Sequence, residues 1–197
     1  AVNTAANRQI EVTLLIIAPM LTFMLAALPR LIPLLYSGKF TPVTGMAQAA
    51  VLAMFAKAFT TPLEYITLAK GHSKAYLALE FAFDAAFAIL VIMFFRWWGL
   101  TGTGFGLLAA YMANTVMIYL YAHIRYKYRV SKKVLAYAGI QFPIGVAAYA
   151  CTFIDNTLTY IATEAAATIA STAVSLYILY KNTSAWDKIK MKCLKKR

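Results

Sequence analysis

Six long apolar runs, separated by short polar turns, follow one another along the chain, at about 12–36, 43–69, 75–95, 103–123, 134–153 and 158–180. Each approaches or exceeds the roughly 20 residues that a helix needs to cross a hydrocarbon core. The first turn shows the pattern. "LIPLLYSGKFTPVTGMAQAA" (31–50) runs apolar into Ser-Gly-Lys-Phe and returns at once to apolar sequence. That is what a chain leaving a bilayer and re-entering it requires. The runs lack the period-two alternation of a membrane barrel, so helices are expected throughout. The expected fold is all-α: a polytopic membrane bundle of six transmembrane helices in a single domain, with a tail over 181–197.

Composition agrees with this pattern. The 197 residues are 62% hydrophobic and 13% charged, against about 25% charged in ordinary soluble domains. The net charge of +12 would point to nucleic acid in a soluble protein, but the position of the bases assigns it to topology. Arg8, Lys70, Lys74, the 125–133 loop and the tail fall on one side, with 15 of the 19 bases. Lys39 and Arg96, with Arg30 close by, are all that the other side holds. Basic loops stay cytoplasmic, so both chain ends are expected inside, with 37–42, 97–102 and 154–157 outside. Tyr36, Phe40, Trp97, Trp98 and Phe153 gather at the outer ends. Tyr76, Tyr126, Tyr128, Tyr137, Tyr177, Tyr180 and Trp186 gather at the inner ones, as interfacial rings do. The opening "AVNTAANRQIEV" reads as mid-protein sequence, the C-terminal part of something larger. Cys151 and Cys193 have no framework spacing, so no disulfide scaffold is expected.

Few motifs carry chemistry. "GLTGTGFG" (99–106) lacks the preceding strand of a phosphate loop. It reads as a tight turn into close packing, with Gly102, Gly106 and Ala110 spaced small-xxx-small. "NTS" at Asn182 lies on the cytoplasmic side, out of reach of glycosylation. His72 and His123 stand at the cytoplasmic ends of separate spans without clustered ligands, and are expected to be solvated or interfacial, not metal-bound. "RYKYRVSKKV" (125–134) is an orientation anchor that also attracts anionic lipid. In the tail, Trp186, Ile189 and Cys193 follow i, i+3, i+7 among lysines, which fits an interfacial helix as well as a loose basic tail. Pro19, Pro29 and Pro33 in the first span and Pro62 in the second each remove a backbone donor, so kinks are expected there. Several prolines in one span suit a segment that bends around a cavity.

Charges within spans are the strongest signal, because they are expensive there and mark function by default. Lys57 lies near the middle of the second span, with Glu64 seven residues on. Glu80 and Asp84 stand at i and i+4 in the third, and Glu164 in the outer half of the sixth. At 1.5 Å per residue Lys57 is roughly 18 Å from the inner end at Ala69, and Asp84 roughly 13 Å from its own. Lys57 could therefore pair with Asp84, or project into a cavity with Arg30 as a second base towards the outer mouth.

These residues resemble a family. "ALPRLIPLLYSGKFTPVTGMAQAA" is similar to the proline-rich signature of the polysaccharide and O-antigen flippases, within the multidrug/oligosaccharidyl-lipid/polysaccharide exporter superfamily. "FFRWWGLTGTGFGLLAAYMAN" and "TLAKGHSKAYLALEFAFDAAFAIL" resemble the segments that follow, so the likeness covers about residues 12–124. It implies two six-helix lobes, often with two further helices. This chain would then be the last four helices of the second lobe plus that pair, and its first partner the missing N-terminal lobe. It further implies a flippase of lipid-linked oligosaccharide in the bacterial inner membrane, serving polysaccharide or lipopolysaccharide synthesis.

Three functions compete. In the flippase, Lys57 and Arg30 would form a cationic wall for a polyprenyl diphosphate, with Glu64, Glu80 and Asp84 as further cavity candidates. In a cation-coupled drug antiporter of the same superfamily, the three acids would matter more than Lys57. A membrane-embedded transferase would need a polar cluster, for which His72 with Glu80 is the sole candidate. No enzyme activity, cofactor or nucleic-acid partner is expected.

Overall fold

The computed structural model describes residues 2–36, 38–152, 154 and 157–182, and among them it is helical with no strand. The expectations for Phe153, for most of the 154–157 turn and for the tail with Trp186, Ile189 and Cys193 lie outside the described residues. Among the described residues five helices are long and apolar enough to cross a membrane: α1 (Val2–Leu35), α2 (Val43–Ala69), α3 (Ser73–Tyr126), α4 (Lys132–Cys151) and α5 (Thr157–Asn182). A single 3-10 turn, Gly38–Phe40, links α1 to α2. Large side chains such as Leu34, Phe81, Ile124 and Leu158 stand more than 70% exposed, an outside that suits lipid and not water.

α1 is organised by one apolar stripe. Ala6, Ile10, Leu14, Ala18, Leu21, Leu25, Leu28 and Ile32 recur every three or four residues and are buried, which is the helical period of a packed face. α2 answers with Val51, Leu52, Phe55, Ala58, Leu63 and Ile66. α4 and α5 pack on α1, and α3 packs mainly on α2. The bundle therefore runs from α3 through α2 and α1 to the α4–α5 pair.

α3 merges two of the expected spans. As a straight helix its 54 residues would extend about 81 Å. Instead the helical dihedrals fail at Trp98 (φ −129°, ψ 16°) and Gly99 (φ 60°, ψ −141°), and the chain folds back. The two ends then meet: His72 Nδ1 lies 2.8 Å from the Tyr126 hydroxyl, with the rings stacked. Small residues permit the close return. A Cβ on Gly106 would come within 2.8 Å of Val91 Cα in the first arm, and Gly102 backs onto the Phe94 carbonyl. Gly104 serves a second contact, where an added Cβ would stand 2.8 Å from Ala49 Cβ of α2. Trp98 and Gly99 are thus the break, whereas α1 continues through Pro19, Pro29 and Pro33 and α2 through Pro62. None of those prolines ends its helix.

The basic segments collect at one end of the bundle. Asn7 donates to the Arg129 carbonyl (3.0 Å) and accepts from the Tyr128 hydroxyl (2.8 Å) and the Ser131 amide (2.9 Å). These bonds clamp the start of α1 to the loop after α3. His123 Nδ1 donates to the Tyr128 carbonyl (2.9 Å). The two histidines therefore hold partners at this end and are not simply solvated. At the other end Pro29, Thr44, Thr101 and Thr152 border one cavity of about 470 Å³.

Candidate functional site

Burying the apolar face of α2 turns its polar positions towards α3. Lys57, Thr61, Glu64 and Tyr65 recur at helical spacing on the side left open or half-open. Lys57 Nζ donates to the Tyr111 hydroxyl at 3.3 Å and stands 5.5 Å from that ring's centroid. The Glu64 carboxylate accepts from Asn114 Nδ2 at 3.0 Å. Both partners come from the second arm of α3, one helical turn apart. Thr60 and Thr61 donate back to the Lys57 carbonyl (3.2 and 2.9 Å), which satisfies both hydroxyls within the helix.

The first arm of α3 supplies the acids. Glu80 is half-buried and lies close enough to Glu64 to act on it electrostatically, as does Lys57. Asp84 is exposed and forms no ion pair with Lys57, whose contact is Tyr111. Of the two arrangements open to Lys57, the pairing with Asp84 is not made. Phe83 packs on Tyr111 with ring centroids 5.1 Å apart, so the aromatic wall under Lys57 is braced from behind. The face therefore holds one base, two neighbouring acids and several tyrosines. It offers a charge to an anion, carboxylates to hydroxyls, and rings on which a sugar or a cation could lie.

Arg30 lies elsewhere. It extends from α1 towards α5, its guanidinium carbon 4.8 Å from the centroid of Tyr160. Lys57 faces α3, so within this chain the two bases belong to different faces and form no common wall. His72 is engaged by Tyr126, and among the described residues no hydrogen bond joins it to Glu80. In this chain Lys57 is exposed. The enclosed acid is Glu164, 4% exposed.

Tyr111, Asn114 and Tyr160 were not singled out from the sequence. A signal for Asn114 was present. It continues the four-residue stripe Gly102, Gly106, Ala110 and precedes Ile118 and Ala122, all buried, and an amide on a small-residue packing stripe needs a polar partner. Tyr111 and Tyr160 carry no comparable signal among 13 tyrosines.

Comparison of the chain with protein-family models, with curated proteins and with solved structures finds no match. The fold defines an all-helical protein whose long apolar helices are compatible with embedding in a membrane.

Proposed function

We propose that this chain is the C-terminal portion of a transporter that flips polyprenyl-diphosphate-linked oligosaccharide across the bacterial inner membrane, for polysaccharide synthesis. The observation that carries the reading is Lys57, a base deep in an apolar helix that is steadied by a tyrosine hydroxyl and not neutralised by a carboxylate. A charge in that position is costly unless it is used. A diphosphate is a fitting use, and the tyrosines and acids beside it suit sugar hydroxyls. The resemblance over residues 12–124 supplies the other half of the argument. It also implies the opposing lobe that would close the Lys57 face into a cavity.

In this reading the two arms of α3 cross separately, which makes six crossings with both chain ends cytoplasmic. What supports it is the fold-back at Trp98–Gly99 together with the collection of Arg8, Lys70, Lys74 and the 125–133 bases at one end. Anionic lipid would gather at that end.

One observation favours a second cargo. Glu64 and Glu80 stand near enough to interact, as a cationic drug would require of an antiporter. Overexpression followed by drug-resistance profiling, beside glycan analysis of a deletion strain, separates the two. Loss of surface glycan on deletion supports the flippase. Unchanged glycan with raised drug resistance would replace it with the antiporter.

A further inference from the structure

Glu164 plays no part in the Lys57 face. It is 4% exposed in α5, and among the described residues neither of its carboxylate oxygens has a hydrogen-bond partner. It borders a groove of about 410 Å³ between α1 and α5, whose lining includes Phe23, Arg30, Tyr160, Ile161 and Thr168. Two donors in that groove are already engaged. Tyr160 donates its hydroxyl to the Ala26 carbonyl at 2.7 Å, and the Arg30 guanidinium lies over the Tyr160 ring.

An ionised carboxylate so enclosed, with no donor, is strongly disfavoured. A hard metal cation would need six or so oxygens around it, and the groove offers Glu164, the Thr168 hydroxyl and little else. A proton needs only the carboxylate. Two other titratable groups line the groove, Arg30 from α1 and Tyr160 from α5 itself. α4 also packs on α5, but Tyr149 and Cys151 at its outer end do not line the groove.

We infer that Glu164 is a proton-binding site. It holds the proton while Arg30 rests on Tyr160. When the guanidinium crosses the groove to pair with the carboxylate, the O–H bond breaks and the proton leaves to water at the groove mouth. Return of Arg30 to the ring reverses the step. In the transporter proposed above, this exchange supplies the coupling proton; that role rests on the flippase reading, whereas the protonation does not.

Infrared spectroscopy of the chain in lipid nanodiscs reads the site directly. At neutral pH the wild type should show a protonated-carboxyl stretch that Glu164→Gln lacks, and alkaline titration should abolish it. Arg30→Ala should retain the band to higher pH, because the competing cation is gone. Glutamine matches the neutral acid in shape, so Glu164→Gln should fold as the wild type does. A wild type without the band, a band that survives in Glu164→Gln, or a Glu164→Gln protein that does not fold would each overturn the proposal. The band together with a complete transporter that moves no lipid-linked glycan would leave the proton site standing and remove the flippase reading.

Discussion

Tyr128 is fully buried in the loop between α3 and α4, with its hydroxyl on Asn7 Oδ1 at 2.8 Å. Burial, reinforced by the nearby Tyr119 and Glu11, pushes the phenol up to about 12. The folded-state value lies above the ordinary tyrosine value near 10, so the folded state favours the neutral phenol. Its stabilising contribution is complete below about pH 10 and is lost as the pH rises towards about 12. Titration of phenolate absorbance should therefore show a late component that Tyr128→Phe reduces by one tyrosine. The same variant should cost about 1 kcal/mol in stability, the usual net worth of one hydrogen bond, because Asn7 Oδ1 keeps the Ser131 amide. A phenol that ionises with the bulk of the tyrosines would show that the α1–loop clamp is open in solution.

The α3 hairpin concentrates the structural use of glycine, and two of its glycines separate two causes. Gly99 has φ +60° with nothing within 4 Å of a Cβ, whereas Gly106 is helical but would press a Cβ onto Val91. Gly99→Ala should thus destabilise by about 1–3 kcal/mol through backbone strain alone. Chemical denaturation in detergent micelles checks this, and a neutral Gly99→Ala would mean that the hairpin turns elsewhere. The bounds of α2 were legible in the sequence to the residue, since apolar length and short turns define them. So were the small-residue contacts of Gly102 and Gly106. That α1 stays one helix past three prolines was not, because each removes a backbone donor locally, while the packing of Leu25, Leu28 and Ile32 is set by other helices. Lys57, Glu64 and Glu80 could be named from their cost in an apolar run. Their partners Tyr111 and Asn114 could not, because the fold-back of α3 brings them into reach. Arg30 and Lys57 were expected together, yet spacing along a sequence says nothing about which neighbour each helix face meets.

At the scale of the molecule, one end holds the basic loops and the other holds Lys39, Arg96 and the tryptophan pair. Single-cysteine labelling of the complete protein in intact cells should leave positions in 70–74 and 125–133 unmodified by an impermeant reagent and modify 38–42 and 97–102. Labelling of the 125–133 loop from outside would reverse the orientation. In the proposed flippase Lys57 serves the cargo and not the fold. Its one hydrogen bond is exposed, so removal should cost under about 1 kcal/mol. The decisive measurement is glycan export by the complete transporter carrying Lys57→Ala, normalised to its level in the membrane, with Lys57→Arg alongside. Normal accumulation is expected, with export lost in Lys57→Ala and partly kept in Lys57→Arg. Normal export by a normally accumulating Lys57→Ala protein would contradict it.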